Sequence, residues 1–325
     1  MIDDVLAIPE HIRDAVWRTD SAALKPFRAD RLVVCGMGGS AVGGDLARGI
    51  IGDRLEGPLE VVRDELLPGW MGPDTAVLAS SYSGNTSETL SAFRDAGRRG
   101  LHRWAVTTGG ELGDLARSDG VGVVGMPGFL APRASVAYVT TVAIMVAGLT
   151  GVAPDLREEL EEAAESLAGS LETLRNQAAA IAEQIGDAPV VVHGCGATVA
   201  VARRWANQMN ENAKLISFAV EVPEVAHNAI EAWARDGRGF AAVFLVDSEL
   251  SDSDRRRLDT VAEMVGETGA PSIEVDAGGD SRSDRVFRSV VLGDLVSLEL
   301  AQSQGVDPEP VLAIESFKQR VGGQS

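Results

Sequence analysis

The sequence predicts an α/β protein built as a pseudo-repeat, two similar units that each carry a mostly parallel sheet flanked by helices. Three observations predict it. Short apolar runs alternate with longer amphipathic ones, as they do where crossover helices join parallel strands. An apolar run that ends in a glycine-rich turn and a helix occurs twice, as "DRLVVCGMGGSAVGGDLA" (30–47) and "APVVVHGCGATVAVARRWA" (188–206), with Gly36, Gly38 and Ser40 matched by Gly194, Gly196 and Thr198. Finally, 325 residues are more than one core usually organises, so two units of about 150 residues are expected.

In chain order, "RLVVCG" (31–36) is the first strand and "AVGGDLARGII" the helix after its turn. Strands are expected at "LEVVRD" (59–64), "TAVLASS" (75–81), "HRWAVTT" (102–108) and "GVGVVGM" (120–126), with the helix "SETLSAFRDAGRRG" after the third run. Residues 134–153, "ASVAYVTTVAIMVAGLTGVA", carry no charge over transmembrane length. The stretch is rich in Ala, Gly and Thr, stands alone and has no basic cluster after it, which predicts a buried helix of a core or subunit interface. After Pro154 the polar–apolar period of 155–185 predicts one or two helices. The pattern then restarts, with later strands at "GFAAVFLVD" (239–247) and "APSIEVDA" (270–277). The units are placed at 1–153 and 154–325.

Composition narrows the partners. A net charge of −19 argues against nucleic acid or an anionic membrane, so an anionic ligand must find positive potential locally. Two cysteines, Cys35 and Cys195, form no disulfide framework and no signal peptide opens the chain, so a reducing cytoplasm is expected. Of 29 basic residues only Lys25, Lys214 and Lys318 are lysine. Where arginine is the default cation, a lysine suits a task that needs a titrating group.

Two motifs sit at strand-to-helix turns. "GMGGSA" (36–41) fits the G-x-G-x-x-A dinucleotide fingerprint, with Glu56 and Glu60 near the spacing of a ribose-binding acid, and also fits a plain tight turn. "SSYSGNTSET" (80–89) concentrates hydroxyls around Gly84, and Asn85 with Glu88 has the spacing of a capping pair. Free N–H groups of a helix start, joined by the hydroxyls of Ser81, Ser83 and Thr86, suit a phosphate monoester in a protein without a basic surplus. The plainer reading is a serine-rich loop with a cap.

S-x-S-G-x-T at such a turn resembles the phosphate-binding motif of sugar isomerase (SIS) domains. The whole chain resembles the bifunctional phosphoglucose/phosphomannose isomerases, which have two SIS domains and "GMGGSA" near the start. Further segments extend the likeness: "PGFLAPRASVAY" (127–138), "NQMNENAK" (207–214), "PEVAHNAIEAW" (223–233) and "GVDPEPVLAIESFKQRV" (305–321). The resemblance implies active-site roles for Arg133, Glu211, His227 and Lys318. Without it, Arg133 reads as a solvated helix-start residue, Glu211 with Lys214 as an i,i+3 surface pair, His227 as a structural histidine and Lys318 as a solvated lysine. Ala229 and Phe317 depart from the family's usual Glu and Leu.

The resemblance implies interconversion of glucose 6-phosphate and fructose 6-phosphate through an enediolate, with no metal and no cofactor. Glu211 would move the proton between C2 and C1 and Arg133 would stabilise the developing oxyanion. His227 and Lys318 would serve ring opening, where an always-protonated arginine would not. Ser81, Ser83 and Thr86 would hold the phosphate, with Gly39 and Ser40 nearby. Mannose 6-phosphate is left open: the resemblance associates that substrate with a C-terminal threonine, and residues 301–325 contain none. It also implies a homodimer in which His227 reaches the partner's site. Two other readings stand beside it, a non-catalytic SIS-domain sensor of sugar phosphates and a nucleotide-dependent oxidoreductase.

Overall fold

Nine strands, all paired in parallel, form two sheets in the computed structural model, which describes residues 1–322; residues 323–325 of the second expected unit lie outside it. The first sheet contains β1 (Arg31–Cys35), β2 (Leu59–Val62), β3 (Thr75–Ser80), β4 (His102–Thr107) and β5 (Val123–Gly125), in the order β2-β1-β3-β4-β5. The second contains β6 (Val190–Gly194), β7 (Ser217–Glu221), β8 (Ala241–Leu245) and β9 (Ser272–Val275), in the order β7-β6-β8-β9. The central strands are mostly apolar because both of their faces are covered. Thr75–Ser80, for example, is buried at every position. In both sheets the order reverses beside the first strand, between β1 and β3 and between β6 and β8. That is where an open α/β sheet leaves a crevice at its carboxyl edge.

The helices are α1 (Ile2–Leu6), α2 (Ile8–Ser21), α3 (Gly38–Ile51), α4 (Ser87–Arg98), α5 (Gly110–Ser118), α6 (Val136–Thr150), α7 (Arg157–Ile185), α8 (Thr198–Gln208), α9 (Ile230–Arg235), α10 (Asp252–Glu267), α11 (Arg282–Ser303) and α12 (Leu312–Gly322). One layer of them, α2, α3, α6, α7, α8 and α11, is shared by both sheets. Leu32 and Val34 of β1 and Val190 and Val192 of β6 point into a single core with the apolar faces of those helices. The opposite faces pack separately, Val33 and Cys35 with Ala92 and Ala96 of α4, and Phe244 with Trp233 and Leu258 on the side of α9 and α10. Thus the two sheets repeat a design while the main core is common to both.

The uncharged stretch is interior as expected: 83% of the Pro132–Thr150 window is buried. It approaches α3 closely at Gly43, where a Cβ would stand 2.6 Å from Val139. Residues 157–185 form one helix of 29 residues rather than two. All eight expected strands are present, trimmed by a residue or more at some ends. The expectations did not include β7, an edge strand with Phe218 exposed, or α11, a 22-residue helix buried on most of its surface. His193 lies in β6 as read; it is fully buried, stacks on Phe244 at 4.2 Å and is structural.

Candidate active site

The two glycine- and hydroxyl-rich turns meet at the carboxyl edge of the first sheet. β1 ends at Cys35, which pairs with Ala79, and β3 ends one residue later at Ser80, so the chain leaves both strands into one crevice. The approach is close: a Cβ on Gly36 would lie 3.0 Å from the carbonyl oxygen of Ser80. α3 starts at Gly38, which has φ +51°, and the N–H groups of Gly38 and Gly39 have no acceptor among the described residues. Ser40 lies in the first turn of α3 and is buried. On the other side, buried Ser81 anchors its loop. Its Oγ accepts from the Gly84 N–H (3.1 Å) and shares a hydrogen bond with Thr86 Oγ1 (2.9 Å). Ser83 is exposed and its Oγ accepts from the Asn85 N–H.

The expected Asn85–Glu88 capping pair does not form. Thr86 is the N-cap of α4, Asn85 Oδ1 accepts from the Glu111 N–H at 3.0 Å, and Glu88 accepts from Ser87 Oγ. Asn85 thereby ties its loop to the start of α5, and the N–H groups of Thr86, Ser87 and Glu88 find no acceptor among the described residues. Free amides from two helix starts therefore face one crevice with the hydroxyls of Ser40, Ser83 and Thr86 around it, a set of donors for an anion.

The dinucleotide reading fares worse. Glu56 precedes β2 and Glu60 lies near its start, whereas a ribose at the carboxyl edge needs an acid at the other end. Arg63 follows β2 and pairs with Asp45. The equivalent crevice of the second sheet is open, a cavity of about 370 Å³ lined by Gly196, Ala197, Asp247, Glu249 and Arg282 among others, but its polar groups are paired with one another. Thr198 Oγ1 is bonded to Cys195 and Leu245, Asp247 pairs with Arg285 at 2.8 Å, and Glu249 pairs with Arg282 at 2.9 Å. The carboxylates after β8 stand where the first sheet has hydroxyls after β3, so of the two switch points the first suits an anion better.

Arg133 forms the next wall. Its Cα lies 3.7 Å from where a Gly39 Cβ would be. It is not a solvated helix-start residue: it is 7% exposed, in a 3₁₀ turn (Pro132–Ser135) before α6. Its Nε donates to Asn212 Oδ1 at 2.8 Å, and its Nη2 to the carbonyls of Pro308 (2.7 Å) and Glu309 (3.2 Å). Its own carbonyl accepts from Arg204, which forms a two-pronged buried pair with Asp294 (3.0 and 2.6 Å). Asn212 Nδ2 completes the network on Ser297 Oγ. Nη1 alone has no acceptor among the described residues, leaving one nitrogen of a fixed cation available.

Glu211 stands beside Asn212 in a π-helical turn (Met209–Ala213) that follows α8. Asn212 is fully buried and Glu211 half-buried, so the turn directs one inward and the other outward. The expected Glu211–Lys214 surface ion pair is replaced by a different contact. Lys214 Nζ donates to the main-chain carbonyl of Glu211 and to that of Pro310. His227, in a 3₁₀ turn (Glu224–His227), and Lys318, on α12, are both exposed and make no side-chain hydrogen bond among the described residues. One chain therefore brings together Gly39, Ser40, Ser81, Ser83, Thr86, Arg133 and, through Asn212, the Glu211 turn, but shows no contact from His227 or Lys318 to them. The supporting residues Asn212, Arg204 and Asp294 carry no sequence signal, since their roles depend on how α8 and α11 pack.

Fold and crevice together define a class of protein, a two-sheet α/β chain with unpaired backbone and hydroxyl donors at the switch point of its first sheet. Residues 174–321 match the family described as bacterial phospho-glucose isomerase C-terminal SIS domain. The chain is 33% identical to the bifunctional phosphoglucose/phosphomannose isomerase of Caldicellulosiruptor bescii over 99% of this chain and 98% of that protein. It is also 33% identical to the protein of that name from Aquifex aeolicus, over 94% of each. Among solved structures, the C-terminal domain of glucosamine-fructose-6-phosphate aminotransferase from Francisella tularensis superposes with a TM-score of 0.73, covering 94% of this chain and 96% of that one at 17% identity. The chain belongs to the bifunctional phosphoglucose/phosphomannose isomerase family, and it is a sugar-phosphate isomerase by that membership.

Proposed function

We propose that the protein interconverts glucose 6-phosphate and fructose 6-phosphate, and takes mannose 6-phosphate as a second aldose, by metal-free proton transfer. The observation that carries this reading is the convergence of the 36–41 turn, the 81–86 loop and Arg133 at one crevice, with the Glu211 turn tied to Arg133 through Asn212. The 6-phosphate rests on Ser83, Thr86 and the free amides, with Ser81 holding the loop and Gly39 and Ser40 opposite. The Glu211 carboxylate takes the C2 proton of the open-chain aldose, the electron pair left on C2 is delocalised onto the C1 oxygen, and once the C2 hydroxyl proton has passed to that oxygen the protonated Glu211 returns its proton to C1 to give the ketose. Arg133 Nη1 stabilises that oxyanion without reorganising, because the other two guanidinium nitrogens are already held. His227 and Lys318 exchange protons with the ring oxygens. Their exposure in the single chain supports delivery across a homodimer, His227 from the partner subunit. Two units, 1–153 and 154–325, and a cytoplasmic setting complete the proposal.

The test is conversion of fructose 6-phosphate, and of mannose 6-phosphate, in chelated buffer by the wild type and by Glu211→Gln. The wild type should turn over and Glu211→Gln should lose ~10²–10⁴-fold in rate while binding sugar phosphate nearly as well. A variant that keeps more than about a tenth of the rate removes Glu211 from the role. A wild type that binds without turnover supports a sugar-phosphate sensor instead.

A further inference from the structure

Lys214 has no role in the proposed reaction, and its surroundings are unusual. It closes the π-helical turn with φ +56° and ψ +27°, a left-handed conformation that glycine or asparagine adopts more readily. Nζ reaches back to the Glu211 carbonyl and across to the Pro310 carbonyl, the latter at 2.8 Å. Arg133 Nη2 holds the two preceding carbonyls, those of Pro308 and Glu309. Three consecutive carbonyls of the C-terminal strap are thus gripped by two cations from different halves of the chain. The strap has little else to hold it, since Pro308 and Pro310 have no N–H and the Glu309 N–H turns back onto Asp307 Oδ1. Partial burial first, and then the charge of Arg133, hold the Lys214 ammonium below the usual lysine range, while Asp307 and Glu211 oppose that shift. The two cations are neighbours that tolerate each other because the carbonyls lie between them.

α12 begins at Leu312, two residues past the grip, and Leu312, Phe317 and Val321 are each more than 60% exposed. Where this helix starts is therefore decided at the strap. We propose that Lys214 is a positioning residue that, with Arg133, clamps residues 308–310 against the Glu211 turn, and so fixes both the Arg133 guanidinium and the origin of the helix that carries Lys318. The proposal rests on the isomerase reading for its effect on rate, but the clamp itself can be read without turnover.

Lys214→Gly removes the clamp and suits the left-handed backbone, so loss of fold does not confound it. Lys214→Met removes only the cation, and Lys214→Arg keeps one. Hydrogen exchange over residues 305–315 should accelerate in the Gly and Met variants and stay near wild type in the Arg variant. With fructose 6-phosphate, kcat should fall about tenfold to a hundredfold in the Gly and Met variants, with KM within about twofold and partial rescue by Arg, because misplacing a catalytic group costs turnover more than phosphate binding. Unchanged exchange in Lys214→Gly overturns the clamp whether or not the enzyme turns over. A released strap with unchanged kcat, or a loss confined to KM, overturns the positioning role.

Discussion

Glu211 and Asn212 are adjacent in sequence and serve opposite sides of the same turn. The π-helical turn lets Asn212 bury its amide between Arg133 and Ser297 while Glu211 stays half-buried. From the residues alone, Glu211 and Lys214 read as a surface pair because i,i+3 spacing presumes regular α-helix; the wider turn breaks that geometry. Glu211 was legible only through resemblance, and Asn212 was not legible at all. The histidines divide by environment. His227 is exposed, whereas burial pushes His193 down to about 4 from an ordinary value near 6.5, with a hydrogen bond to the Val243 carbonyl opposing part of that shift. Between those two pH values the unfolded chain binds a proton at this position that the folded chain refuses, so stability is full above about pH 6.5 and declines as pH falls toward 4. His193 should account for roughly 3 kcal/mol of that decline, taking about 1.4 kcal/mol per pH unit. His193→Phe keeps a ring against Phe244 and removes the titration. Urea unfolding at pH 7, 5.5 and 4.5 should give a visibly flatter stability profile for the variant than for the wild type. Parallel profiles would mean that His193 titrates normally in the folded state.

At the scale of elements, the strands were legible because they are continuously apolar and end in turn residues, and both switch points follow from the glycine turns. β7 was missed because an edge strand with Phe218 outward shows no alternation, and α11 because a helix enclosed by its neighbours has no polar face to reveal its period. The 80–86 loop was legible in composition but not in its internal bonding. Its shape is fixed at Gly84, where φ is +71° and a Cβ would come within 1.9 Å of the Gly109 carbonyl oxygen. Ser81 and Thr86 are tied to each other and Ser81 to the Gly84 N–H, whereas exposed Ser83 only accepts, from the Asn85 N–H, and keeps its own hydroxyl hydrogen for a ligand. Ser83→Ala should weaken fructose 6-phosphate binding by roughly 1.5–3 kcal/mol, the worth of a hydrogen bond to a charged group, with little change in thermal stability. Unphosphorylated fructose should be affected much less. Equal losses for the two ligands in calorimetric titration would move the phosphate away from this loop.

For the whole molecule, the crevice is one-sided. The proposed phosphate cradle, Arg133 and the Glu211 turn lie within one chain, while His227 and Lys318 are displayed on exposed elements, the latter on a helix with Phe317 65% exposed and Leu312 69% exposed. Exposed apolar side chains suit the proposed interface with a second copy, and a two-fold pair would deliver the same residues to both sites. A shared site has a measurable consequence. Co-expression of Glu211→Gln chains with His227→Ala chains gives mixed dimers in which, with histidine supplied by the partner, one site collects both defects and the other collects neither. Random pairing makes about half of the dimers mixed, so about a quarter of all sites should be intact. Activity in the co-expressed sample should therefore approach about a quarter of the wild-type value, well above the two variants measured separately and summed. If His227 serves its own chain, every site carries one defect and no activity returns. Native mass spectrometry of the same sample decides whether mixed dimers are present. Mixed dimers without recovered activity would confine the histidine to its own subunit, and His227 would then have to reach Glu211 by movement of its turn within one chain.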